Sequence, residues 1–305
     1  MEKNMERIIE YSIPSDLPSV TGSITIKEYL KSRGYSAQSI KLLKLSPEGL
    51  QINHQPALIN APIQPGDLLT VRIREEASSE KIVPVKLPLS IVYEDEDLFV
   101  IDKPAGMPIH PSQNNFHNSL ANALAWHYEK IGEPFVFRCI NRLDKDTSGL
   151  TVVAKHAVSA GILGAMICSR ETFTREYLAI VKGSLTPPEG IITAPIARKK
   201  DSIIERQVDF EHGERAVTHY RLLRQRNGHS LVSLTLETGR THQIRVHMKY
   251  IGFPLIGDHI YNPDLEHISR QALHAHRLCF THPVTGAPLE FISPLPADMA
   301  VILDM

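Results

Sequence analysis

Hydrophobic residues near the start of the chain recur first at the spacing of short helices and then at that of a strand. Ile26 and Leu30 lie about one helical turn apart, and Ile40 and Leu43 predict a second short helix. Residues 68–73 then alternate, which predicts a strand. We expect this part of the chain to form a small unit of two helices and a few strands.

A polar stretch without periodicity follows this unit. Residues 74–81 have the sequence REEASSEK, which offers no apolar face that could be buried. Such a composition is typical of a connection between domains. We therefore predict a small domain at residues 1–74, a linker at 75–86 and a large domain at 87–305.

Strand patterns outnumber helix patterns in the large domain. The predicted strands are residues 91–93, 98–101, 149–154, 176–181, 216–223 and 231–236. The predicted helices are residues 120–131, 159–170 and 244–251, the last with Gly252 as its C-terminal cap. Because most strands follow one another without a regular intervening helix, the pattern predicts an α+β fold. Its central sheet should be mixed, mainly antiparallel and flanked by helices and loops.

The composition is that of a soluble globular protein. A chain of 305 residues with 42 % apolar and 22 % charged residues excludes extended disorder. The longest apolar or small run, residues 160–168, is too short to cross a membrane, and residues 1–13 lack the apolar block of a secretory signal. Three widely spaced cysteines, Cys139, Cys168 and Cys279, argue against a disulfide framework or a zinc cluster. We expect a cytoplasmic protein.

The net charge of −1 argues at first against a nucleic-acid binder, since such proteins are usually basic. That neutrality is an average over opposing regions. Residues 138–249 hold 18 basic and 11 acidic residues, and residues 21–74 hold 7 and 3. Positive charge is therefore concentrated in two segments, and both are candidates for contact with RNA phosphates.

Two polar segments lie within otherwise apolar chain and are candidates for chemistry. Residues 141–149, NRLDKDTSG, follow one apolar segment and precede another, so they predict a loop held on a rigid scaffold. A plain charged turn explains the same residues. Residues 237–248, ETGRTHQIRVHM, place arginine and histidine at the start of a helix, where a solvated basic face is the alternative.

These segments, taken together, resemble the RluA family of RNA pseudouridine synthases. Residues 141–149 are similar to the family signature HRLDxxTSG, with Asn141 in place of histidine. Further family motifs are matched in order at residues 102–111, 175–183, 238–248, 257–261 and 273–278. The small unit resembles an RNA-binding domain shared with a small-subunit ribosomal protein. The resemblance implies a pseudouridine synthase fold in the large domain.

The resemblance also assigns roles to individual residues. It implies that Asp144 is the catalytic aspartate, Arg245 its ion-pair partner and Tyr177 the aromatic that stacks on the target base. Without it, Tyr177 would be read as a core tyrosine of a strand. The residues expected to contact RNA are Arg142, Lys145, Arg240, His242, Lys103, Lys27, Arg33, Lys41 and Lys44.

Uridine isomerisation breaks the glycosidic bond and rejoins the base through a ring carbon. One carboxylate suffices for this reaction, whereas a glycoside hydrolase needs two. Asp144 could attack the sugar, attack the ring or take a sugar proton, and the sequence leaves these open. The sequence predicts no cofactor, no metal and no membrane partner, a monomer, and an RNA substrate that is ribosomal rather than transfer RNA. A non-catalytic ribosome-assembly factor and a base hydrolase are the alternatives.

Overall fold

The computed structural model describes residues 5–15, 24–46, 48–75, 78–79, 81–169 and 172–304. The strands in the first part of the chain are β1 (Met5–Ser12), β2 (Ile24–Thr25), β3 (Leu50–Ile52), β4 (Gln55–Pro56), β5 (Pro62–Ile63), β6 (Leu68–Glu75), β7 (Ile91–Glu94), β8 (Leu98–Lys103) and β9 (Arg138–Cys139). Those that follow are β10 (Ser148–Ala154), β11 (Phe173–Lys182), β12 (Glu189–Thr193), β13 (Ile196–Arg198), β14 (Arg206–Val208), β15 (Val217–Arg226), β16 (His229–Leu236), β17 (Leu273–Thr281) and β18 (Pro288–Ile292). The helices are α1 (Ile26–Ser32), α2 (Ala37–Leu45), α3 (Leu120–Ile131), α4 (Ala157–Ser169), α5 (Gln243–Tyr250) and α6 (Ala297–Asp304).

The small unit is a four-stranded sheet in the order β1-β6-β3-β4, packed with α1 and α2. Thr25 caps α1, because its hydroxyl accepts from the Glu28 amide while the Glu28 carboxylate accepts from Thr25. Strand β1 lies outside the predicted elements. Its inward residues include Ile9 and Tyr11, but its outward positions include the charged Glu6 and Glu10, so it carries no long apolar signal.

Helix α4 of the large unit completes the core of the small one. Val158 and Ile162 are buried in the same apolar cluster as Ile26, Leu30 and Val71. The two units therefore share apolar surface that is removed from water, which is the main stabilising term in such contacts.

A buried ion pair adds to this contact. Arg7 of β1 donates from Nε and Nη2 to the two carboxylate oxygens of Asp97, at 2.9 and 3.1 Å. His156 Nε2 lies 2.9 Å from Asp97 Oδ1. Burial acts to raise the pKa of Asp97, but the bonds from His156 and Arg7 outweigh it and the pKa is lowered. Asp95, Asp97 and His282 also lie close enough to share a cation, but Asp97 already binds Arg7, and Asp95 Oδ2 lies 2.8 Å from His282 Nε2.

The described part of the predicted linker is held against the large unit. The Ser79 amide donates to the carbonyl of Phe135 at 3.0 Å, and the Val85 amide donates to the carbonyl of Asn122 at 3.1 Å. Residues 76, 77 and 80 of the linker lie outside the described residues. Residues 78–79 and 81–86 thus follow the surface of the large unit at the end of α3.

The large unit is built on a sheet in the order β12-β15-β16-β11-β17-β10-β8-β7. Its neighbouring strands are antiparallel except for β10 and β17, which are parallel. Helices α3 and α5 contribute to the apolar cluster on one side of this sheet, and α4 contributes to a second cluster. The predicted α+β class with a mixed, mainly antiparallel sheet is confirmed. Within the described residues, no helix combines the length and hydropathy needed to cross a bilayer.

The parallel pair β10 and β17 places the candidate catalytic loop. Gly149 of β10 has a φ of +108°, and a Cβ there would come within 2.3 Å of the carbonyl oxygen of Ala275 on β17. Only glycine permits this approach and this backbone conformation. The loop between β9 and β10, which contains Asp144, therefore lies directly over the middle of the sheet.

Candidate active site

The loop that carries Asp144 is fixed by side-chain bonds to the backbone. Asn141, only 3 % exposed, donates from Nδ2 to the carbonyl of Leu150 and accepts at Oδ1 from the amide of Val152. Its two polar groups thus satisfy a backbone donor and a backbone acceptor of β10. The residue that departs from the family signature serves to hold the loop against the strand that follows it.

Lys103 is buried against the loop that carries Asp144. This position corrects the expectation that Lys103 contacts RNA. Its side chain is completely buried, and Nζ donates to the carbonyls of Pro104, Met107 and Lys145 at 2.8, 2.7 and 3.0 Å. Burial lowers its pKa to about 7, against the opposing charges of Asp146 and Asp144. A lysine with its ammonium bound in this way has no donor left for a phosphate.

Helix α5 brings Arg245 to Asp144. Arg245 is 2 % exposed, and its Nη1 lies 2.9 Å from Asp144 Oδ2. The other edge of the guanidinium is bidentate with Asp258, Nε to Oδ2 at 2.7 Å and Nη2 to Oδ1 at 2.8 Å. Burial acts to lower the pKa of Arg245, but the bonds to Asp258 and the charges of both carboxylates raise it overall. Arg245 therefore stays charged beside Asp144.

Asp258 and Tyr261 were not among the predicted site residues. Asp258 is fully buried and also accepts from the amides of Ile260 and Tyr261. The Tyr261 ring lies under the Arg245 guanidinium, 5.0 Å from centroid to Cζ. The only sequence signal for either residue was the family match at 257–261, which gives no role.

His242 stands at the N-terminal end of α5 in a left-handed conformation, φ 57° and ψ 20°. Its Nδ1 lies 2.9 Å from the Tyr261 hydroxyl, which also accepts from the amide of Arg206. Among the described residues, Nδ1 is the acceptor available to the Tyr261 proton, so His242 carries its own proton on Nε2. Burial lowers the pKa of His242, which favours this neutral form. Nε2 lies 3.9 Å from Asp144 Oδ2.

These groups line one cavity of about 540 Å³, of a size suited to a nucleotide. Asp144, Tyr177 and Arg245 all face it, and so do Arg142 and His242. Tyr177 is 5 % exposed, and burial raises its pKa, so its ring presents a neutral surface. The structure thus brings the three predicted catalytic residues together.

The other predicted RNA contacts lie farther out. Lys145 is exposed on the Asp144 loop, and Arg240 lines the cavity rim, where it pairs with Glu214 and donates to the carbonyl of Arg215. The remaining residues are exposed on the small unit and do not line this cavity: Lys27, Arg33, Lys41 and Lys44. Of these, Arg33 is bound to the hydroxyl of Tyr29 at 3.0 Å.

Comparison with known proteins identifies the family in which this site geometry occurs. The family model described as RNA pseudouridylate synthase matches residues 97–250. A protein of Bacillus subtilis (strain 168) named as an uncharacterized RNA pseudouridine synthase, YjbO, is 40 % identical over 92 % of this chain and 98 % of its own. Ribosomal large subunit pseudouridine synthase D of Zymomonas mobilis is 40 % identical over 87 % of this chain and 88 % of its own.

Among solved structures, human RNA Pseudouridylate Synthase Domain Containing 1 matches with a TM-score of 0.55 and 27 % identity. The match covers 72 % of this chain and 86 % of the human one. The chain belongs to the RNA pseudouridine synthase family, as its resemblance to the RluA group predicts. It is an isomerase that converts uridine to pseudouridine in RNA.

Proposed function

We infer that this protein isomerises uridines of large-subunit ribosomal RNA, with Asp144 as the catalytic carboxylate. The observation that carries the catalytic assignment is the position of Asp144, which faces the cavity while Arg245 binds one of its oxygens. The RNA target is supported by relatives named as ribosomal large subunit pseudouridine synthases, which cover most of this chain.

Different residues of the cavity act in different steps of the reaction. The target uridine leaves its stack, and its base lies on the Tyr177 ring, a contact that returns about 1–3 kcal/mol of the cost of extrusion. Arg142, exposed at the cavity rim, contacts the RNA around the flipped nucleotide.

Arg245 Nη1 binds Asp144 Oδ2 at 2.9 Å, which fixes the carboxylate in place at the cavity. The bond between the ribose and ring nitrogen then breaks, and the base turns while it remains in the cavity. The sugar carbon then bonds to ring carbon C5, C5 loses its hydrogen to solvent as a proton, and the freed ring nitrogen N1 takes up a proton. Asp144 supplies the nucleophile or base for this sequence.

The small unit is the second RNA contact of this proposal. Residues 21–74 carry a net excess of four basic residues, and Lys27, Lys41 and Lys44 are exposed. We assign residues 1–74 to an RNA-binding domain, 75–86 to its connection and 87–305 to the catalytic domain. Binding through phosphates predicts an affinity that falls steeply with salt.

The test is tritium release from a large-subunit ribosomal RNA transcript labelled at uridine C5. Wild-type protein should release tritium, and Asp144→Asn should abolish release while RNA affinity stays within a few-fold of wild type. Free uracil among the products would identify a hydrolase instead. Pseudouridine mapping of total RNA from a deletion strain decides the target, because loss of a site confined to transfer RNA contradicts the ribosomal assignment.

A further inference from the structure

Among the described residues, Arg175 is a buried cation without a protein partner. It lies on β11, two residues before Tyr177, and is 7 % exposed. Its Nε is fully shielded from solvent and has no hydrogen-bond acceptor among the described residues. A buried charge that is neither paired nor hydrogen-bonded is strongly unfavourable in a folded protein.

Two carboxylates that line a cavity together with Arg175 are already engaged elsewhere. Glu237 lines the same region, but it accepts from Arg215 Nη2 at 3.0 Å and lies 2.9 Å from His219 Nε2. Asp144 is bound by Arg245. The positive charge of Arg175 is therefore unmatched among the described residues that surround it.

The space around Arg175 is open to a ligand. Arg175 lines both the 540 Å³ cavity that contains Asp144 and an adjoining cavity of about 400 Å³. Its Nη1 lies against Gly239, where an added Cβ would approach to 3.1 Å. Glycine at this position keeps the end of the guanidinium clear of a side chain.

We propose that Arg175 binds a phosphate of the RNA backbone next to the target uridine. The Nη N–H groups of a guanidinium donate to phosphate oxygens, and these charge-assisted bonds balance the positive charge that the described residues leave unmatched. Tyr177 and Arg175 line one cavity, so the base on the tyrosine and the phosphate on the arginine belong to the same nucleotide segment. This assignment deepens the proposed function and rests on it for the identity of the RNA.

The first experiment compares Arg175→Gln with Arg221→Gln, an exposed arginine of β15 that lines neither cavity. On the mapped target RNA, Arg175→Gln should weaken binding about 10- to 100-fold, the worth of a charged hydrogen bond. The slope of log affinity against log salt should fall by about one. Arg221→Gln should retain more of the wild-type RNA affinity and more of the wild-type salt slope. Unchanged affinity and salt slope in Arg175→Gln overturn the proposal.

A substrate variant locates the phosphate. A neutral methylphosphonate placed at each linkage beside the target uridine should weaken wild-type binding at one position. At that position Arg175→Gln should show no further loss, because the two changes remove the same contact. Additive losses at every position contradict a direct contact.

The free protein supplies a test that does not depend on the RNA target. Arg175→Met removes an unmatched buried charge, so its melting temperature should equal or exceed that of the wild type; a clear fall indicates a structural role and overturns the proposal. Uridine 3′,5′-bisphosphate should shift the Nε–H resonance of Arg175, assigned by its loss in the variant. If wild-type protein fails to bind ribosomal RNA, the target assignment fails while this titration still decides the phosphate site.

Discussion

Replacing Asp258 by asparagine tests whether the Arg245 guanidinium depends on its second carboxylate. The change keeps the shape of the side chain but removes its charge and puts an amide opposite a guanidinium N–H. Removing one partner of a buried ion pair typically costs about 3–5 kcal/mol. Since Asp144 still binds Nη1, we expect the lower end, a loss of about 3 kcal/mol in the free energy of unfolding.

The assay is urea unfolding at neutral pH, followed by tryptophan fluorescence and circular dichroism. Asp264→Asn is the matched control, because this partly exposed carboxylate of the same segment pairs with the exposed Lys182 at 2.9 Å and accepts from the Glu266 amide, which an asparagine oxygen can still do. The control should unfold at the wild-type urea concentration. Asp258→Asn should also lower the rate of tritium release more than the RNA affinity, since Arg245 no longer has a fixed orientation.

An Asp258→Asn protein as stable as the control would refute the reasoning about the buried pair. Equal stability with a normal reaction rate would mean that Asp144 alone orients Arg245. A loss of stability without any loss of rate would separate the two roles and leave Asp258 with a purely structural one.

Two further changes probe the groups around Asp144. Tyr261→Phe removes the hydroxyl that fixes the His242 ring, so ¹⁵N spectra should show the Nε2–H form of His242 in wild type and a mixture of the two forms in the variant. His247, which is bound independently to Thr218 and Ala194, is the unchanged reference. An Nδ1–H form of His242 in wild type would contradict the assignment. Lys103→Met strands buried carbonyls and should reduce the free energy of unfolding by at least about 1–3 kcal/mol. Because burial lowers the pKa of Lys103 to about 7, the unfolded chain binds more protons above that pH, and the stability margin of wild type over Lys103→Met should grow between pH 7 and 10. A margin that stays constant over this range would show that Lys103 keeps its proton in the folded protein.

The elements with a strong local period were predicted well. Residues 98–101 and 120–131 correspond to β8 and α3, because the apolar residues of β8 and Leu120, Leu124 and Tyr128 of α3 are buried as the pattern requires; Ile131, at the end of α3, is exposed. The pattern at 244–251 located α5, which ends one residue earlier, at Tyr250. Strand β1 was not predicted because half of its positions face solvent, and two of these are the glutamates Glu6 and Glu10.

The site was predictable only where a motif named a role. Asp144, Tyr177 and Arg245 lie on three separate elements, and their meeting in one cavity depends on sheet topology that local periodicity does not encode. Lys103 failed as an RNA contact because sequence does not tell which lysine is desolvated. The motif match at 175–183 gives Arg175 no role, because the absence of an acceptor for its Nε among the described residues is a property of the packed structure.

Helix α4 has a practical consequence for dissecting the two units. Val158 and Ile162 on this helix belong to the core of the small unit, while Ile167, farther along, lines the cavity that contains Asp144. A fragment starting at residue 87 would expose the first two side chains to water and loosen the helix that reaches the cavity. Its loss of activity would report a damaged scaffold. The contribution of the small unit to RNA affinity is therefore better measured by charge substitutions at exposed Lys41 and Lys44 in the intact chain.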